Sequence, residues 1–185
     1  MMMYAIAVAV VLQINNVVGA PRGNLERAQQ EVTRLYHGIG VDVTWISSAA
    51  PHAAPLRDIR VVLVADESGD LRRRQTPVMG AAVVTDQGTQ IAYVFYRQIE
   101  LQARQYDVSA TMILASAIAH EVAHLLVPGA PHSPAGLMRA CWTRDDFYRA
   151  EKGQLRFSTE QASLIRAHAA SHPLVEHEGR YRAGQ

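Results

Sequence analysis

The 185-residue chain is nearly devoid of lysine: Lys152 stands alone, and arginine carries the rest of the positive charge. Basic residues number 18 against 17 acidic ones, a formal net charge of +1. That balance provides no strong field for a nucleic acid or a membrane surface, and no nucleic-acid partner is expected. The one dense basic run, Arg72 to Arg74, reads as a solvated loop. Cysteine is just as scarce. Cys141 is the only one, which excludes an intramolecular disulfide and any cysteine-only zinc site. There is no Gly-rich phosphate loop and no nucleophile elbow around a serine. The apolar N-terminal run, Met1 to Leu12, is too short to span a bilayer, so no membrane span is expected. It could be a signal peptide with Val18-Gly19-Ala20 as the cleavage site. However, no lysine or arginine precedes Arg22, and Pro21 would follow the cut. The run reads better as a first β-strand, Tyr4 to Ile14, which favours the cytoplasm over export.

What is present fits a globular protein. Apolar residues make up 49% and charged ones 19%, which excludes a disordered chain, a collagen and a coiled coil. The length suits one domain, expected over residues 1–172, with a polar tail over 173–185.

Local pattern places the elements. After Pro21-Arg22-Gly23, Asn24 can cap a helix in which Leu25, Ala28, Val32, Leu35 and Tyr36 recur at helical spacing. Val41 to Ile46 alternates as a strand does. A Pro/Ala/Ser loop follows through Pro55. Ile59 to Ala65 is a continuous β-branched run, as in a buried strand. Val78 to Thr85 and Gln90 to Tyr96 flank a polar turn at Asp86-Gln87-Gly88. Ile99 to Tyr106 is either a short helix or a linker. Ser109 can cap a helix over Ala110 to Leu126, which Pro128-Gly129 stops. Ser158 can cap a last helix, Thr159 to Ala170. The class is α+β: a small mixed β-sheet packed on helices. Trp45, Trp142, Phe147 and Phe157 read as core, and Cys141 as a small buried thiol.

The helix over 110–126 contains His120-Glu121-Val122-Ala123-His124. Positions i and i+4 lie about 40° apart on one helix face, so both imidazoles can reach one zinc ion. Glu121 flanks them, placed to reach a water rather than the metal. A third ligand is then needed, with one position left open. His132 follows eight residues after His124, and Gly129 can turn the chain sharply enough to bring it back. By composition this pattern arises by chance in roughly 0.02 of such chains. Context sharpens it: from Val108 to Met138, Glu121 is the only charged side chain. An ionised glutamate on a buried helix is costly without a partner, and a divalent metal with its water is the simplest compensation.

On these residues the chain resembles the zincin metallopeptidases, and their metzincin branch in particular. Metzincins carry HExxHxxGxxH and a later methionine turn. Here Gly129-Ala130-Pro131-His132 keeps the Gly-x-x-His part, two residues late, and Met138 follows. The string from His120 through His132-Ser133 to Gly136-Leu137-Met138-Arg139 is similar to that of small, uncharacterised bacterial metallopeptidases. The resemblance implies a zincin-like fold, with the HExxH helix as the active-site helix. It implies one Zn2+ per chain on His120, His124 and His132, with Glu121 as general base and then acid. Met138 would form a floor beneath the metal. The astacin-type tyrosine ligand has no counterpart, since its position is Ala140. Other third ligands stay open: Glu151 or Glu160 on the gluzincin pattern, or Asp145 or Asp146.

The function implied is a zinc-dependent metallopeptidase acting by metal-assisted hydrolysis. Its partner would be a peptide or protein substrate, extended along the strand at residues 90–96 taken as the sheet edge. Tyr93 and Tyr96 are either oxyanion-binding groups or ordinary strand aromatics. A second reading is a zinc-stabilised, non-catalytic binding or scaffold protein of the same fold. A third is a metallohydrolase acting on a non-peptide amide.

Overall fold

Runs of β-branched and small apolar residues build the sheet, and one almost uncharged helix covers it. The computed structural model describes residues 9–46, 58–66 and 78–171. The expected polar tail at 173–185, the Pro/Ala/Ser loop through Pro55 and the Arg72 to Arg74 run lie outside these residues. So does the start of the expected first strand, before residue 9.

The elements run β1 (Ala9–Asn16), α1 (Arg22–His37), β2 (Asp42–Ile46), β3 (Ile59–Val64), β4 (Gly80–Val84), β5 (Gln90–Phe95), α2 (Tyr96–Tyr106), α3 (Ala110–Leu126), α4 (Arg144–Glu151) and α5 (Thr159–Ala170). The five strands form one sheet in the order β2-β1-β3-β5-β4. β1, β2, β3 and β5 are mutually parallel, and β4 alone runs antiparallel, against β5. The β4–β5 hairpin closes through Thr85 to Thr89, with Gly88 at φ 78°.

This order corrects one expectation. The strand at 90–96 is not the sheet edge: β5 pairs with β3 on one side and β4 on the other. Ile91, Ala92 and Val94 give β5 the apolar character of an interior strand, while Val83 and Val84 of β4 are exposed. The edge strand beside α3 is therefore β4.

α3 explains its own composition. It packs on β3, β4 and β5, and also on α1, α2, α4 and α5. Of its 17 residues, 14 are buried, so a stripe of polar residues has nowhere to face. Ile113, Leu114, Ile118 and Val122 are fully buried against Val61, Leu63, Ala92 and Val94. Fully burying aliphatic side chains of this size contributes about 1.5–3 kcal/mol each. Tyr36 on α1 is also fully buried and donates its hydroxyl to the Ala119 carbonyl at 2.9 Å, tying α1 to the centre of α3.

The helix ends differ in part from expectation. α5 begins with the expected Ser158 cap, reinforced by Gln161 in a reciprocal capping box. α1 starts two residues before Asn24, at Arg22, with Pro21 in the cap position. Asn16 sets that entry, since its amide both donates to the Ala20 carbonyl and accepts from the Ala20 N–H, each at 2.9 Å. Ser109 makes no side-chain cap either; the Glu151 carboxylate accepts its backbone N–H at 2.6 Å. Residues 99–106 are helical, as part of α2. Among the described residues, no helix is long and apolar enough to cross a membrane.

Candidate metal centre

α3 supplies His120 and His124 one turn apart, and the chain beyond it supplies His132. The helix ends at Val127, whose N–H still bonds to the Ala123 carbonyl. A turn closes from Ala130 N–H to the Val127 carbonyl, with Gly129 at φ 77°, a conformation open to glycine and strained for other residues. The loop is then pinned back on itself. Ser133 N–H donates to the Met138 carbonyl at 2.9 Å, and Leu137 N–H to the Arg156 carbonyl at 2.8 Å. His132 thus returns to the face of α3 that carries the other two histidines.

The three side chains converge on one point. His124 Nε2 lies 3.1 Å from both His120 Nε2 and His132 Nε2, and one donor atom from each histidine lies within 4.8 Å of the others. Nitrogens bound at 2.0–2.1 Å around a tetrahedral centre stand about 3.3–3.4 Å apart, close to this spacing. His120 Nδ1 is 2.7 Å from the Leu137 carbonyl. A carbonyl only accepts, so Nδ1 carries the proton and Nε2 keeps its lone pair. His120 Nε2 then has no proton to offer, and one proton on His124 Nε2 serves one neighbour at a time. A cation at the shared point satisfies all three nitrogens, so the residues present fit a zinc ion.

Electrostatics agree. Burial lowers His120 to a pKa of about 4, against the raising effect of the Leu137 carbonyl. Burial and the neighbouring His132 lower His124 as well. Neutral imidazole is the form that binds metal. Burial raises Glu121 to a pKa of about 8. No charged or hydrogen-bonding group among the described residues offsets that burial.

Glu121 lies against β4. A Cβ added at Gly80 would stand 2.6 Å from Glu121 Cγ, 2.8 Å from its Oε1 and 2.8 Å from the Tyr93 carbonyl oxygen. Gly80 therefore makes room for the glutamate. A glycine in a strand can mark such a close approach, but the residue type alone does not say what approaches it. The Leu137 carbonyl was also missed, as any backbone acceptor is in a sequence. It receives both His120 Nδ1–H and Trp142 Nε1–H, the latter at 3.2 Å.

The other acidic candidates for a third ligand are occupied elsewhere. Glu151 accepts from Ser109, and Glu160 from the Ser158 hydroxyl. Asp146 accepts from Thr143 and Arg139, and Asp145 is exposed on the first turn of α4. None of them joins the histidine cluster. Met138 is buried and belongs to the hydrophobic core. Tyr96 opens α2, and neither it nor Tyr93 lines the cleft at the histidines. Cys141 is exposed in that cleft rather than buried, because the chain after Met138 runs along its wall.

No family model and no curated protein matches the chain. Solved structures do. The fold is similar to that of solved zinc-dependent peptidase and archaemetzincin structures. A zinc-dependent peptidase from Methanocorpusculum labreanum aligns over 84% of this chain and 99% of its own, with TM-score 0.56 and 16% identity. Archaemetzincin from Methanopyrus kandleri aligns over 88% and 97%, with TM-score 0.55 and 14% identity. Metalloproteinase-II from Bacteroides fragilis aligns over 88% of this chain but 53% of its own, with TM-score 0.51 and 13% identity.

Proposed function

We propose that the protein is a zinc-dependent metallopeptidase that binds one Zn2+ per chain through Nε2 of His120, His124 and His132. The observation that carries this reading is the convergence of three imidazole nitrogens, two pairs of them 3.1 Å apart, beside a buried glutamate with no hydrogen-bonding or charged partner among the described residues. The peptidase fold of the structural neighbours supports it.

Bound zinc would supply Lewis acidity, polarising the scissile carbonyl and bringing the pKa of a water toward about 7. The chain's own residues do the rest. The Leu137 carbonyl holds His120 in the tautomer that presents Nε2. The Glu121 carboxylate takes the proton of the attacking water and hands it to the leaving amine nitrogen. β4 replaces the strand at 90–96 as the docking edge for an extended peptide, because Gly80 to Val84 line the same cleft as the histidines.

Two measurements test this. Elemental analysis of protein purified without a metal-affinity tag should find one zinc per chain, sharply reduced in His132→Ala. Glu121→Gln should keep zinc and lose peptide hydrolysis. Zinc in the wild type and in Glu121→Gln, with no hydrolysis of any peptide by the wild type, would favour the non-catalytic scaffold. No zinc in the wild type after reconstitution would overturn the reading.

A further inference from the structure

The cleft beside the histidines is poor in charge. Apart from Glu121, the only permanently charged side chain that lines it, among the described residues, is Arg139. Its place is fixed by the same loop that places His132. Arg139 follows Met138 and forms a parallel bridge with Ser133, the residue next to His132. Its side chain is held from behind. Nη1 donates to Asp146 Oδ2 at 2.8 Å and lies 3.4 Å from Thr143 Oγ1. Asp146 is buried, its side chain 5% exposed, while that of Arg139 is 32% exposed. Asp146 in turn is locked by the Thr143 backbone N–H and hydroxyl, each at 2.8 Å.

The remaining guanidinium donors, Nε and Nη2, bond to no described residue. A buried aspartate therefore holds one corner of the guanidinium, and the other corner is left for a ligand. A planar pair of N–H donors fits a carboxylate.

We propose that Arg139 is a specificity-determining residue that binds a carboxylate of the substrate. That group is either the free C-terminus of a peptide or an acidic side chain close to the scissile bond. This rests on the peptidase reading for the identity of the substrate, but binding alone can test it.

The probes are four acetylated tetrapeptides of one sequence, with a free or amidated C-terminus and with Glu or Gln at the third position. Binding is measured by titration calorimetry on zinc-loaded Glu121→Gln protein, which should not turn them over. It is repeated with Arg139→Lys added. Lysine keeps a positive charge beside Asp146, whereas Arg139→Met would leave a buried aspartate unpaired and endanger folding. With Arg139, one carboxylate form should bind on the order of tenfold tighter than its uncharged counterpart. In Arg139→Lys that ratio should fall toward one, with the uncharged peptide bound as before. A preference for the free C-terminus identifies a terminal carboxylate, and a preference for Glu identifies an acidic side chain. Equal binding of all four peptides overturns the proposal. So does a preference that survives in Arg139→Lys, since the metal would then be the carboxylate's partner. Should Arg139-dependent selectivity be found while the wild type hydrolyses no peptide at all, the peptidase reading fails and Arg139 keeps its assignment.

Discussion

Replacing Gly80 with alanine probes the link between the sheet edge and Glu121. The backbone of Gly80 lies outside the left-handed region, so alanine can adopt it and only space is at issue. Its Cβ would sit 2.6 Å from Glu121 Cγ, 0.8 Å short of the 3.4 Å where ordinary contact begins. The Tyr93 carbonyl, at 2.8 Å from the new Cβ, belongs to a strand paired on both sides and yields less readily than a side chain. The carboxylate should therefore move by most of an ångström. A misplacement of about 1 Å lowers a rate by on the order of 10²-fold. Overpacking should also cost about 1–3 kcal/mol of stability. The assay is steady-state hydrolysis of a peptide by Gly80→Ala, with zinc content measured on the same sample. The expected result is kcat down by roughly two orders of magnitude, KM little changed, and zinc at the wild-type level. A kcat within twofold of wild type would refute the claim that the carboxylate's place depends on Gly80. Loss of zinc along with activity would put the effect on the histidines instead.

Other outcomes follow from single contacts. In metal-free protein, Glu121 titrates at about 8 when folded and near 4.5 when unfolded, because burial disfavours its charge. The neutral form's contribution is complete below about pH 4.5 and is lost as pH rises through 8. Metal-free Glu121→Gln should thus gain thermal stability over wild type between pH 5 and pH 8, by up to several kcal/mol; a gap independent of pH would contradict this. Tyr36→Phe removes the hydroxyl bond to Ala119 and should cost about 1 kcal/mol in denaturant unfolding, or somewhat more for the carbonyl left in the core. Ser158→Ala removes the cap of α5 and should cost about 1 kcal/mol while leaving zinc content untouched. A loss of zinc in Ser158→Ala would mean that α5 supports the site more directly than its contacts indicate.

The parts of the molecule legible in the sequence are those set by local rules. α3 was readable to its last residue, because a run with Glu121 as its one charged side chain, between Ser109 and Pro128-Gly129, leaves no other end points. The hairpin around Asp86-Gln87-Gly88 and the cap at Ser158 were readable for the same reason. Misreadings came where a distant group replaced the local one. Asn24 and Ser109 look like caps, but Asn16 sets the entry to α1, and Glu151 takes the Ser109 N–H across the fold. Cys141 looks like a core thiol by residue type, yet it lines the cleft.

The sequence alone determined the chemistry on offer: two histidines one helical turn apart, a glutamate between them with no charged neighbour, and a third histidine beyond a glycine. Helical periodicity and the cost of a buried charge act within a few residues, so they can be read there. The tertiary structure decided which strand borders the cleft, which carbonyl orients His120, and which glycine admits Glu121. These depend on contacts between residues far apart in the chain: β3 with β5, His120 with Leu137, and Gly80 with Glu121. Local pattern carries no record of such pairings, because each forms only when the whole core is packed.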